Sequence, residues 1–162
     1  MTGFLGEYEV TVDAKGRFLL PAGFKKQLLE ERANQFVINR GIEPCLSLYP
    51  MQSWEPIFSE ISQLNDFDPK VRDFRRYFLN GATQVELDSA GRLLLPKTLM
   101  EYAGLEKDVV LVSAVTKIEI WDKSKYKALF DNFSPEAYSK LANDVMNKKI
   151  DSWLFNDDVK YG

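Results

Sequence analysis

Apolar and polar residues alternate at period two over residues 8–12 and again over 83–87, the spacing of a half-buried strand. In both places an Asp-x-x-Gly-Arg segment interrupts the alternation, and a second short β-prone run ends at a proline, Pro21 or Pro96. The pattern predicts strand, tight turn, strand. After Pro21 the segment AGFKKQLLEER spaces Phe24, Leu28 and Leu29 as a short helix would; after Pro96, KTLMEYAGL closes on Gly104, a helix stop. Residues 36–39, 45–49, 109–112 and 117–121 read as further strands, and 53–64 and 123–133 as amphipathic helices. Asp68-Pro69 starts another helix that runs through Phe78, and Ser134 is placed to cap one beginning at Pro135.

The chain contains itself twice. VDAKGRFLLP, residues 12–21, and LDSAGRLLLP, residues 87–96, are identical at six of ten positions at an offset of 75. Further along, Leu46-Ser47-Leu48-Tyr49 answers Ile118-Glu119-Ile120-Trp121 at an offset of 72, so a small insertion or deletion separates the two blocks. The division that follows is a first repeat over 5–53, connecting helices over 54–81, a second repeat over 82–125, and C-terminal helices and tail over 126–162. One copy offers four short strands and one helix, too little to close a barrel or to hide its edges. Two copies together can, which predicts a mainly β, α+β fold: one pseudo-symmetric β-barrel built from both repeats and flanked by helices.

The repeated turn has a legible chemistry. Asp13 and Asp88 end the first strand of each copy, where a carboxylate can accept hydrogen bonds from amides two residues on, and Gly16 and Gly91 supply a positive φ. Arg17 and Arg92 follow four residues after the carboxylates, across the turn. Two readings stand side by side. In one, Asp and Arg merely pin the hairpin, an exposed pair contributing about 0–1 kcal/mol. In the other, a rigid loop projects an arginine toward a phosphate or the O6/N7 edge of guanine. The copies differ in that Lys15 adds a second cation to the first turn where the second has Ala90.

Charge sharpens this difference. The chain carries 21 Lys/Arg and 24 Asp/Glu for a net −3, which argues against a uniform nucleic-acid-binding surface. Residues 1–41, however, hold six Lys/Arg against five Asp/Glu, and residues 81–122 hold four against seven. An anion-binding face therefore belongs with the first copy, and the second turn reads as secondary or structural.

The paired DAKGR and DSAGR turns, each followed by an apolar run and proline, and the junction GATQVELDSAGRLLLP resemble the MraZ family of bacterial transcriptional regulators. The resemblance runs to about residue 150. It implies two repeats of the SpoVT-AbrB type folded into a swapped-hairpin barrel. It also implies a ring-shaped homo-oligomer, for example an octamer, and binding to tandem double-stranded DNA repeats in the promoter of the division and cell-wall gene cluster, the protein's own gene included. Carried over residue by residue, the DNA-binding turn falls on Asp13, Lys15, Gly16 and Arg17, and its counterpart on Asp88, Gly91 and Arg92. The expected location is the cytoplasm, associated with the nucleoid. Rival readings are an AbrB-type antitoxin-like DNA binder, whose C-terminal half would hold a toxin, and a purely structural ring-forming module.

Other chemistry has little support. Histidine is absent and Cys45 is the only cysteine, within an apolar run, which removes the usual partners for a Ser or Cys nucleophile and the usual zinc ligands. No P-loop, GxGxxG or CxxC occurs, so no catalytic residue, metal or cofactor and no small-molecule substrate is expected. The longest apolar runs are far below the roughly 18 residues of a membrane span. The opening MTGFLGEYE has no basic n-region, so no secretory signal is expected. Lys70, Arg72, Arg75 and Arg76, interleaved with Phe74, Tyr77 and Phe78, read as a solvated or inter-subunit helix face in preference to a second DNA contact. Trp54 and Trp121 read as core or interface residues; the segment 150–162, with Trp153, Phe155 and the Asp157-Asp158 pair, has no counterpart in the repeat.

Overall fold

The computed structural model describes residues 3–146 and divides the chain into two units, one up to Tyr126 and one from Lys127 onward. The first unit contains both repeats. In the first repeat, β1 (Glu7–Thr11) and β2 (Arg17–Leu19) flank the first turn, α1 (Ala22–Lys25) follows Pro21, and β3 (Gln35–Arg40) and β4 (Leu46–Pro50) form a hairpin. The second repeat has the same order: β5 (Thr83–Glu86), β6 (Arg92–Leu94), α4 (Lys97–Ala103), β7 (Asp108–Ala114) and β8 (Lys117–Asp122). Between them lie α2 (Met51–Ser62) and α3 (Pro69–Leu79), and α5 (Lys123–Ala128) follows β8.

The repeats do not fold side by side; they exchange strands. β1 pairs with β7 of the second copy, and β5 pairs with β3 of the first, giving an antiparallel six-stranded sheet of order β1-β7-β8-β4-β3-β5. β2 and β6 form a separate two-stranded ribbon. The hydrogen-bonded ladders thus end at β1 and β5 and form two sheets, where the sequence predicted one closed barrel. The exchange obeys a pseudo-twofold axis. In the ribbon Phe18 faces Leu93, and between β4 and β8 Ser47 faces Glu119, so at the centre of each ladder a residue meets its own equivalent in the other copy.

One apolar core serves both copies. Phe18, Phe24 and Leu46 from the first and Leu93, Leu99 and Ile120 from the second are almost wholly buried in the same cluster. Phe24 and Leu99 occupy equivalent positions, each the third residue after the proline that opens its helix. Phe24 packs edge-on against Phe4 and Tyr8. A second cluster places Trp54 of α2 over Tyr49 and stacks it on Phe78 of α3, at 5.9 Å and 3°. Trp121 is buried as well.

Helix boundaries follow their local signals with two exceptions. Gly104 ends α4 at φ 60°, and Asp68 caps α3 by accepting from the Lys70 amide at 2.9 Å. The helix expected across AGFKKQLLEER stops after four residues. The amides of Gln27 and Leu28 turn to carbonyls only three residues back, Phe24 and Lys25, and the Gln27 carboxamide is held by the Leu5 backbone at 2.9 and 2.8 Å. The helix expected over 123–133 likewise ends at Ala128. In the second unit α6 (Pro135–Met146) is capped by the Ser134 hydroxyl, which accepts from the Ala137 amide at 3.0 Å. The tail segment 150–162 lies outside the described residues.

Because β1, β2, β5 and β6 find their partners, among the described residues, only in the other copy, a fragment of residues 3–81 should show no cooperative thermal transition as a monomer. Co-expression with residues 82–146 should restore one, measured by circular dichroism. A monomeric first half that unfolds cooperatively would contradict the exchanged pairing.

Candidate nucleic-acid interface

The two turns are built alike, atom for atom. In the first, Asp13 Oδ1 accepts from the amides of Lys15 and Arg17, each at 2.9 Å, and Asp13 Oδ2 accepts from Arg17 Nε at 2.9 Å. In the second, Asp88 Oδ1 accepts from the amides of Ala90 and Arg92, and Asp88 Oδ2 from Arg92 Nε, all at 2.9 Å. The glycines close both turns at φ 86° and 80°, values that a side chain would strain. Their amides return to the Asp13 and Asp88 carbonyls at 3.0 and 2.9 Å.

Each glycine also ties its turn to the opposite repeat. The Leu95 amide donates to the Gly16 carbonyl at 2.8 Å, and the Leu20 amide donates to the Gly91 carbonyl at 3.1 Å. The turns therefore sit at the two ends of the β2–β6 ribbon. The register pairs Arg17 with Leu94 and Leu19 with Arg92, so the two arginines are diagonal neighbours on one face, a relation that spaces positions about 7–8 Å apart. Phe18 and Leu93 point from the other face into the core. The outer face thus carries Arg17, Arg92 and two half-exposed leucines, Leu19 and Leu94. Arg17 and Arg92 line the same concavity of about 380 Å³, together with Asp13 and Thr11.

The arginines are engaged through Nε alone. Their terminal Nη nitrogens have no protein partner among the described residues, and both side chains remain about one-third exposed. Those two nitrogens are the fork that grips a phosphate or the O6/N7 edge of guanine. The carboxylate pins the hairpin and fixes the guanidinium while leaving its outer edge free, a geometry compatible with either reading of the Asp–Arg pair. Lys15 is exposed beside Arg17, with no ion-pair partner among the described residues. With the aspartates counted, the first turn carries a net +1 and the second none.

Other groups singled out in the sequence are occupied elsewhere. Arg75 of α3 folds back onto the carbonyls of Ile61 and Leu64 and onto Asp66. Arg72 bonds the Asp66 carbonyl, and Arg76 pairs with Asp73. The basic face of α3 is thus largely spent on intramolecular partners. Burial pushes the Cys45 thiol up to about 12, which suits a core residue and no nucleophile. Among the described residues no group of His, Cys, Asp or Glu is placed to hold a metal, and no helix is long and apolar enough to cross a membrane.

Asp13 and Asp88 are held below the ordinary carboxylate value of 3.8, first by the amides of Arg17 and Arg92 and further by the guanidinium contacts. A carboxylate with a lowered folded-state pKa stabilises the fold above its ordinary value, and that contribution fades only as the pH falls through the lowered one. In a carboxyl-detected NMR titration both side chains should therefore show midpoints below 3.8. Midpoints at or above that value would show the turns open in solution.

Comparison with known proteins agrees with this doubled architecture. The family described as "MraZ protein, putative antitoxin-like" matches twice, over residues 4–77 and 78–148. The chain is 44% identical over 147 residues to the protein named Transcriptional regulator MraZ from Christiangramia forsetii, covering 90% of this chain and 94% of the relative. It is 45% identical over 143 residues to the protein of that name from Cytophaga hutchinsonii, covering 88% and 94%. To the one from Flavobacterium psychrophilum it is 42% identical over 163 residues, covering 100% and 99%. Transcriptional regulation, the role those names print, is a non-enzymatic one. Matched by the family over both copies and by such relatives along nearly its whole length, the chain belongs to the MraZ family.

Proposed function

We propose that the chain is a sequence-specific DNA-binding transcriptional regulator that uses the β2–β6 ribbon as its reading face. The observation that carries this reading is the pair of pre-oriented arginines, Arg17 and Arg92, standing on one exposed ribbon with their Nη edges free. B-DNA's major groove admits a two-stranded ribbon, and an arginine fork can take two acceptors of one guanine there. Asp13, Lys15, Gly16 and Arg17 form the primary contact: the aspartate orients, the glycine permits the turn, and the two cations bind. Asp88, Gly91 and Arg92 form the secondary turn. Leu19 and Leu94 offer apolar contact of the kind that thymine methyl groups accept. In this reading the crossed pairing of the two repeats is the swapped-hairpin arrangement of AbrB-type repeats.

One turn with a net +1 cannot grip DNA tightly, so several subunits act together. The chain assembles as a ring-shaped homo-oligomer, for example an octamer. Exposed apolar side chains support assembly: Ile42 is wholly exposed, and it borders a cavity of about 440 Å³ with Phe74 and Tyr77. Tandem repeats in the promoter of the division and cell-wall gene cluster, including that of the protein's own gene, are the target, and the protein works in the cytoplasm on the nucleoid. Engaging several repeats raises effective concentration and adds an avidity of roughly 100- to 10,000-fold over one site.

Repeats must then recur near one helical turn, about 10 base pairs, to face the same side of the protein. On DNA with one, two and three repeats from the chain's own upstream region, affinity should climb steeply with repeat number. It should fall when about half a turn is inserted between repeats. Arg17→Ala should abolish specific binding and leave the oligomer intact, as judged by light scattering. Equal affinity for all these DNAs would leave a single-site binder, and no binding at all would leave a structural ring.

A further inference from the structure

The second turn looks poorer than the first only when its own repeat is considered. Lys15 has no counterpart there, because Ala90 takes its place. The strand exchange changes the inventory. A Cβ placed on Gly91 would stand 3.3 Å from Nζ of Lys25, so the ammonium of Lys25, from α1 of the first repeat, lies directly over the second turn, beside the residue that precedes Arg92. The equivalent position in the second repeat is Met100, and its Sδ stands over the first turn, 3.5 Å from a Cβ placed on Gly16. Each turn is therefore overhung by the short helix of the other copy. The first receives a thioether there and keeps its own Lys15; the second receives a cation from outside.

We infer that Lys25 completes the second turn as a phosphate-binding site, in which its ammonium and the free edge of Arg92 together hold a backbone phosphate of duplex DNA. Lys25 is exposed, and no ion pair or side-chain hydrogen bond occupies its ammonium among the described residues. Asp88 is already committed to two amides and to Arg92 Nε, so it orients the guanidinium and leaves its outer edge free. With Lys25 counted, the second turn reaches the net +1 that the first owes to Lys15. A lysine suits this task because an ammonium takes a phosphate as a point charge and needs no fixed fork, while the sequence-reading contact stays with Arg17 of the first turn. Both ends of the ribbon then grip the backbone and hold its central face in one register.

This inference rests on the reading of the ribbon as the DNA-binding face, and its test separates the two. Lys25→Met copies what the protein already places over its other turn, so folding should be unaffected and the thermal transition unchanged. Binding to a duplex of the chain's upstream region is followed by fluorescence anisotropy across a salt series. For wild type, log affinity should fall linearly with log salt; for Lys25→Met the slope should be shallower by about 0.9 per engaged subunit, as expected when each subunit neutralises one phosphate fewer. Preference for the repeat over unrelated duplex should be kept, and Lys25→Arg should restore the slope. If Lys25→Met keeps the wild-type slope while Arg17→Ala loses binding, the DNA-binding reading stands and the Lys25 site is overturned. If wild type itself shows no salt-dependent affinity for duplex, the reading fails, and the Lys25 site with it.

Discussion

Neither repeat can satisfy the backbone of its own first two strands, and this constraint shapes the rest of the molecule. Among the described residues β1 takes its partners from β7, β5 takes its partners from β3, and β2 and β6 have only each other. A sheet edge left unpaired exposes a row of amides and carbonyls that would recruit other chains. Here one edge of each of these strands is covered by a strand of the other repeat, and the six-stranded ladder ends at β1 and β5. The bonds from Leu95 to Gly16 and from Leu20 to Gly91 are the points where the exchange reaches the turns, and they make each turn's position depend on the other repeat. The shared core follows from the same exchange, since Phe18 and Leu93 can meet only if the ribbon forms.

The interface inherits its geometry from that exchange. Two Asp-x-x-x-Arg turns far apart along the chain arrive at the two ends of one ribbon, and a twofold relation places their arginines as diagonal neighbours. Each arginine is fixed through Nε, which removes much of the side-chain freedom that binding would otherwise have to freeze. An exposed ion pair of this kind adds little to stability. Its consequence is orientation: the fork is aimed before any ligand arrives. In the proposed function the chain's modest charge is no difficulty, because attraction would be concentrated at the ribbon and multiplied by the proposed assembly.

Much of this is legible in the sequence, for identifiable reasons. The doubled Asp-x-x-Gly-Arg segment marks the turns, since glycine and aspartate at those spacings have few alternative conformations. Pro21, Pro96, Gly104, Asp68 and Ser134 are local signals, and the elements they start or stop fall where they point. The length of the helix after Pro21 is not legible, because it is cut short by a tertiary contact, the Gln27 carboxamide on the Leu5 backbone. The crossing of β1 to β7 and β5 to β3 is not read from the pattern, since alternation gives the face of a strand and not the identity of its neighbour; the family resemblance alone implies an exchange of hairpins. The position of Lys25 is hidden for the same reason: within its own repeat it is one basic residue on a short helix, and only the exchange carries it to the second turn.

The β2–β6 ribbon, with both of its turns, is the surface proposed to meet DNA, and every other functional statement depends on it. Amide hydrogen–deuterium exchange of the full chain, with and without duplex from its own upstream region, tests this without altering any residue. DNA should slow exchange in segments 13–20 and 88–95 together, while α3 is unchanged. Slowed exchange centred on α3, with both ribbon segments unaffected, would contradict it.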